Sequence, residues 1–289
     1  MKFGLRYCNT GRFVDPSQAV ELAQAGEAAG FESLWTIEHT VIPAGYESQY
    51  PYSEDGKIAG GNDTVALPDP LIWMAFVASA TTKIKLASGI IIVPQHNPVV
   101  LAKQVGTLDQ LSNGRVLLGI GVGWLKEEFD ALGVPFAARG RRTDEYVAAM
   151  RELWAADAPT FDGEFVSFNE AYCRPQPVNG RVPIIVGGDS KFAARRAGRL
   201  GDGYFPARGA PTELFDVVRE TAIANGRDPG AIEFTVAMPD DVNELPRLAA
   251  LGVTRVLVPV SSTAGIPAKI KTPEEALAWR DTIDRFRTT

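Results

Sequence analysis

Cysteine is nearly absent from this sequence: Cys8 and Cys173 are the only two, far apart and outside any metal-ligand spacing. That excludes a disulfide scaffold and a structural zinc site, and the expected setting is the reducing cytoplasm. Histidine is equally scarce, with only His39 and His96. No HxH, HExxH or carboxylate cluster accompanies them, so no metal is expected. The N-terminal segment lacks a continuous apolar core, and no stretch reaches the ~18 apolar residues of a spanning helix. Neither export by a standard signal nor membrane insertion is expected. Lys/Arg-dense runs are missing too: 29 basic against 35 acidic side chains leave a formal charge of −6, without the basic footprint that nucleic acid requires.

What is present is a long chain with regular punctuation. Its 289 residues have room for one large α/β barrel or two ordinary domains. Residues 2–9 form a β-like segment, Asp15-Pro16-Ser17 opens a helix, and Gly30 stops it. A second β-like run falls within residues 31–39. Residues 40–67 follow, rich in Gly, Pro, Tyr and Asp, without periodicity and too long for an ordinary connection, as expected of a functional loop or lid. Asp69-Pro70 starts the next helix, and residues 84–93 read as one continuous apolar strand buried on both faces. Asn97-Pro98 caps a helix whose Leu101, Val105, Leu108 and Leu111 share a face. Asn113-Gly114 ends it before a fourth strand over 116–121.

A second insertion follows, with a short helix near 126–132, a helix over 143–155 and a small β excursion near 161–168. Strands over 182–186, 203–206, 232–238 and 253–260 then alternate with helices over 191–200, 212–225 and 241–251. A terminal helix carries Ala276, Trp279, Ile283 and Phe286 on one stripe. Eight strands each followed by a helix predict a (β/α)8 TIM barrel with insertions after strands 2 and 4, read as a single domain over 1–289. A doubly wound open sheet is the runner-up.

In such a barrel the chemistry sits at the carboxyl ends of the strands. Indexed on that rule, the candidates include Tyr7, Cys8 and Asn9, Glu38 and His39, Gly121 and Trp124, and Gly187-Gly188-Asp189-Ser190. The last group runs from a buried strand into a helix at Lys191. Its N–H groups and positive helix end suit a phosphate, with Lys191, Arg195 and Arg196 adding charge. A plain βα turn with an Asp or Ser cap fits the same residues. His39 can hydrogen-bond or shuttle a proton near neutral pH, or serve structurally by bonding a loop carbonyl. His96 reads as part of the turn before the third helix. The glycines 119, 121 and 123 lack the GxGxxG spacing into a helix and are weak evidence for NAD. Cys8 reads as a small barrel residue. Trp124 fits either the wall of an apolar substrate pocket or packing beneath the second insertion.

Several blocks in order resemble the bacterial luciferase-like monooxygenase superfamily. They include Ala28-Ala29-Gly30-Phe31-Glu32-Ser33-Leu34-Trp35 with Glu38-His39, then Ala87-Ser88-Gly89-Ile90-Ile91-Ile92-Val93, and Leu108-Asp109-Gln110-Leu111-Ser112-Asn113-Gly114-Arg115. Leu118-Gly119-Ile120-Gly121-Val122-Gly123-Trp124, Glu127-Glu128-Phe129, Arg139-Gly140-Arg141-Arg142-Thr143-Asp144-Glu145 and Pro183-Ile184-Ile185-Val186-Gly187-Gly188 continue the match. The resemblance is nearest to the branch of coenzyme F-420-dependent oxidoreductases. It implies the same barrel, a flavin or deazaflavin ring at the strand ends, a small-molecule substrate and a homodimer. His39 matches a histidine near the reactive part of the ring and is the implied catalytic residue. Ser88, Gly89 and Ile90 match a strand-three bulge with a non-prolyl cis peptide. Gly121, Gly187, Gly188, Asp189, Ser190, Lys191 and Arg195 complete the implied cofactor set, while Tyr7, Asn9 and Trp124 are the expected substrate pocket.

Arg139, Arg141 and Arg142 match a recurrent basic segment, which can contact ligand or pair with Glu145. Gly123-Trp124 stands where the family's sugar-phosphate dehydrogenases carry a glutamate, which argues against that activity here. The implied reaction is hydride transfer between the C5 of a deazaflavin and a small organic substrate. One alternative is an FMN-dependent monooxygenase fed with reduced flavin by a separate reductase. Another is a flavin-binding protein without turnover. A cofactor-free sugar-phosphate lyase or isomerase is disfavoured, because such enzymes need a Lys or Glu in that role at a strand end and none is evident.

Overall fold

The alternation of short apolar strands with capped helices closes into a cylinder in the computed structural model, which describes residues 1–53, 55–58, 63–263 and 266–287. The barrel strands are β1 (Lys2–Arg6), β2 (Ser33–Thr36), β3 (Lys85–Ser88), β4 (Val116–Gly121), β5 (Ile184–Gly187), β6 (Gly203–Phe205), β7 (Glu233–Ala237) and β8 (Val253–Pro259). All neighbours are parallel. Leu5 of β1 is in register with Leu34 of β2 and Val258 of β8, and Leu86 of β3 with Val116 of β4. The ring runs on through β5, β6 and β7 to β8 without an edge. This is a (β/α)8 barrel.

Helices α1 (Pro16–Ala29), α2 (Pro70–Ala78) and α3 (Pro98–Leu111) start where the sequence signals them. Asp15, Asp69 and Asn97 each accept hydrogen bonds from first-turn amides, and each precedes a proline at the first helical position. The second insertion carries α4 (Lys126–Ala131) and α5 (Arg139–Ala155). Next come α6 (Lys191–Leu200), α7 (Thr212–Ala224), α8 (Leu245–Ala250), α9 (Pro273–Leu277) and α10 (Arg280–Phe286).

Four expected elements differ in detail. The strand expected over 84–93 is interrupted: β3 stops at Ser88, the Gly89–Ile90 peptide is cis, and Ile91–Ile92 resumes beside β4. The next residues, Val93–Gln95, form a 3-10 turn. Helix α5 begins at Arg139 rather than Thr143, because its cap, Ala138, is a left-handed residue with no side-chain bond to announce it. The helix expected over 241–251 divides into a 3-10 turn (Val242–Glu244) and α8. The terminal helix is two pieces, α9 and α10, yet its stripe holds: Ala276 and Ile283 are buried, with Trp279 and Phe286 packed on the core.

Two apolar layers result. The larger lies between strands and helices, and the smaller fills the cylinder with Trp35, Ala87, Leu117, Ile185, Phe205 and Leu257. Trp35 and Phe205 meet edge-on at 5.5 Å. The filled cylinder leaves no pore, so anything that binds does so at its ends. No described helix is long and apolar enough to cross a membrane.

Candidate active site

The carboxyl ends of the strands open onto a cavity of about 980 Å3, large enough for a tricyclic ring and a small second molecule. A smaller hollow of about 470 Å3 lies at the opposite end of the barrel. Three of its charged groups are occupied in fastening loops: Glu27 accepts the amides of Thr82, Lys83 and Ile84, and Arg280 and Arg287 donate to the carbonyls of Ala28 and Gly30. The large cavity is therefore the candidate site.

His39 follows β2 and stands on the cavity wall. Its Nδ1 is 2.9 Å from Oε2 of Glu128, a fully buried carboxylate on α4. Oε1 of Glu128 accepts the amides of Thr40 and Val41 at 2.7 and 3.2 Å. Burial pushes the Glu128 carboxyl up, but the hydrogen bond and charge of His39 and the loop amides outweigh it, holding the group below the ordinary value. A carboxylate on Nδ1 fixes that nitrogen as the protonated one and leaves Nε2 for a ligand. A second pair lies behind the first. Glu38 takes Nε2 of His96 at 2.9 Å and the amide of Ile92. Burial lowers His96, yet the Glu38 bond and charge raise it above the ordinary histidine value.

The first long loop roofs the cavity with Tyr50 and Tyr52. Trp124 lines the cavity and also packs beneath that loop, 5.5 Å from Tyr46, 5.0 Å from Tyr50 and 5.8 Å from His39 between ring centres. The loop it packs beneath is the first insertion rather than the second. The loop is fastened by the neighbour of Glu128: Glu127 accepts the amides of Glu47 and Ser48 at 2.8 and 3.0 Å. Residues 54 and 59–62 of the expected lid lie outside the described residues.

On the far wall, β5 runs into α6 through Gly187, Gly188, Asp189 and Ser190, all lining the cavity. Ser190 is the helix cap, its Oγ accepting the amide of Ala193 at 3.1 Å. The amides of Lys191 and Phe192, in the first turn, have no intrahelical partner and leave a positive helix end for an anion. The carboxyl of Asp189 accepts the amide of Ala207, and burial raises it above the ordinary range despite that bond. Bare backbone at Gly121 and Gly187 forms a cradle around Ile90, since a Cβ on either would come within 2.6 Å of the Ile90 side chain. Four arginines reach the lining, Arg6, Arg139, Arg196 and Arg208, against the acids Glu38 and Asp189. Bare-backbone cradle, open helix end and the nearby Arg196 and Arg208 together fit a flavin-type ring with a phosphorylated tail.

Of the residues singled out from sequence, Tyr7, His39, Gly89, Ile90, Gly121, Trp124 and the four of the β5 turn meet in this cavity. Ser88 lies beneath it, donating its Oγ to the Gly119 carbonyl at 2.8 Å. Asn9 is a buried clamp: it bonds Ile37 at the start of the long loop and the Pro68 carbonyl at its end. Lys191 and Arg195 sit on the exposed face of α6, and Phe192, Ala193 and Arg196 take their place in the lining. In the basic segment, Arg139 reaches the cavity and bonds the Gly123 carbonyl. Arg141 pairs with Glu164 and Arg142 bonds the Pro135 carbonyl. Glu145 receives the amides of Glu164, Phe165 and Val166 instead of an arginine. Cys8 is fully buried, and burial raises its thiol. Sequence reasoning overlooked Arg6 and assigned no role to Glu128. The available signals were a charge ending the apolar strand KFGLR and an acidic pair in a short amphipathic helix.

Residues 5–244 match the family described as luciferase-like monooxygenase. The chain belongs to that family. Among relatives of this luciferase-like protein is the F420-dependent glucose-6-phosphate dehydrogenase of Kineococcus radiotolerans, 31% identical over 92% of this chain and 76% of that one. Another is the FMNH(2)-dependent dimethylsulfone monooxygenase of Pseudomonas fluorescens, 33% identical over 71% of this chain and 52% of its own length. In structure, an F420-dependent secondary alcohol dehydrogenase in complex with an F420-acetone adduct superposes with a TM-score of 0.78 at 20% identity, covering 99% of each chain. The luciferase-like protein is thus an enzyme of the flavin- or deazaflavin-dependent type on a (β/α)8 barrel.

Proposed function

We propose that this protein is a coenzyme F-420-dependent oxidoreductase that moves a hydride between the C5 of the deazaflavin and a small organic substrate. The observation that carries this reading is His39 on the cavity wall with its Nδ1 committed to buried Glu128. When bound, the deazaflavin supplies the hydride chemistry. The chain's residues do the rest. Nε2 of His39 holds or accepts the proton exchanged with a substrate oxygen, and Glu128 stabilises the imidazolium. The first amides of α6, with Arg208 and Arg196, bind the phosphate end. Tyr50, Tyr52 and Trp124 would exclude water from the cavity that holds the ring.

The Pseudomonas relative supports a second reading, an FMN-dependent monooxygenase supplied with reduced flavin by a separate reductase. Titrating the purified protein with oxidised F-420 and with FMN, followed by fluorescence, separates the two. Selective F-420 binding is expected. Selective FMN binding overturns the cofactor assignment in favour of oxygen chemistry. Binding of both without turnover supports a flavin carrier.

The proposed working form is a cytoplasmic homodimer. Ile72 and Phe76 of α2 and Val100 of adjoining α3 are exposed apolar side chains that a second copy would cover. Sedimentation at micromolar concentration should give twice the 31.1 kDa chain mass, and a monomer would refute it.

A further inference from the structure

We propose that Arg6 recognises a carboxylate on the substrate, so that the small molecule taken by this cavity is an organic acid. Arg6 ends β1 and lines the cavity at 7% exposure, with its Nε and Nη1 buried and without a hydrogen-bond partner among the described residues. Its guanidinium carbon stands 4.5 Å from the Tyr7 ring centre and 4.9 Å from that of Phe205. Two aromatic faces hold the cation in place without neutralising it. Asp189, the acid whose charge reaches it, makes no ion pair with it and has its Oδ1 on the Ala207 amide.

Arg255 shows what the same side chain does when its role is structural. It is fully buried at the other end of the cylinder, where Glu32, Glu233 and Thr235 satisfy it. Arg6 lacks such a set, and a buried guanidinium left this way is costly. Its planar fork matches two parallel acceptor oxygens, which a carboxylate offers and an alcohol or a ketone does not. Tyr7 beside it is held at a φ of 67°, a conformation rare for a tyrosine.

The barrel order puts β1 diametrically opposite β5, whose turn faces the phosphate end, and next to β2, which carries His39. Arg6 is thus rooted beside the His39 wall, with its guanidinium over the barrel mouth against Phe205 of β6. This assignment rests on the oxidoreductase reading above, which places the cofactor along β3 to β5.

Calorimetric titration of the purified protein with benzoate and with benzamide, near-identical in shape, tests it without turnover. Benzoate should bind at least about tenfold more tightly than benzamide, the effect of one charge-assisted hydrogen bond. Arg6→Met should erase that preference while leaving F-420 and FMN binding within about threefold. Equal affinities in the wild-type protein, no benzoate binding at millimolar concentration, or a preference surviving in Arg6→Met overturns the proposal. So does a loss of cofactor affinity in Arg6→Met with the acid preference intact. Should that variant fail to fold, the wild-type comparison still decides. Failure of both cofactors to bind would sink the oxidoreductase reading alone, whatever the benzoate ratio.

Discussion

A histidine gains a defined role when one ring nitrogen is already committed, and His39 meets that condition through Glu128. Replacing His39 with Ala should lower cofactor-linked turnover by about 100-fold or more, the lower end of what a positioned acid-base group contributes. Unchanged turnover would end its catalytic assignment. Glu128→Gln should leave cofactor binding intact but move the pH profile of kcat, since the amide cannot stabilise the imidazolium. His96 makes a different prediction. Its value is raised by Glu38, so the stability it adds is full below about pH 6.5 and is lost as pH rises through the raised folded value. Urea unfolding of His96→Gln should therefore show its largest deficit near pH 6 and a shrinking one toward pH 9. A deficit independent of pH would refute the linkage.

At the level of elements, the tightest point is where β4 passes the interrupted end of β3. A Cβ on Gly119 would fall 1.8 Å from the Ser88 carbonyl oxygen, which is backbone and cannot rotate away. Gly119→Ala should cost about 3 kcal/mol in denaturant unfolding, the upper range for overpacking. A loss under about 1 kcal/mol would show that the strands can part. This crossing also marks how far the sequence could be read. Helices with a capping Asp or Asn and a following proline were legible to within a residue, because both signals act locally. The interruption after Ser88 was not legible from hydrophobicity, since it stays apolar on both sides; only the family resemblance pointed to it. The early start of α5 carried no side-chain signal at all. Within the site, strand-end indexing found His39 and the β5 turn. It began one residue too late on β1 to include Arg6, and Glu128 was out of reach because its partner lies across an insertion of unknown path.

Over the whole molecule, charge is organised at the barrel's closed end. Arg255 is bound by Glu32 from the turn before β2 and by Glu233 of β7. Lys2 and Lys85 join through Glu233 and Glu32. Burial pushes Glu32 up, but the Arg255 bond and charge bring it down to about 2. Its contribution is therefore present above the ordinary value of 4.5 and lost as pH falls toward 2. Glu32→Gln should cost about 3 kcal/mol near neutrality by stripping a buried guanidinium of its main partner. It should also flatten the acid limb of the stability curve, as followed by circular dichroism between pH 5 and about 2. An acid limb identical to wild type would place the sensitive groups elsewhere.

The roof over the opposite end is tied down in another way. Glu127 and Glu128 grip the main-chain amides of residues 40, 41, 47 and 48, and Asn9 grips the backbone at both necks of the loop. None of these bonds depends on which side chain the loop carries at those positions. Diversification can therefore rewrite the surface that faces the cavity, Tyr50 and Tyr52 included, without loosening the anchorage. The same division makes the loop a natural place to graft new selectivity, provided Asn9, Glu127 and Glu128 are left in place.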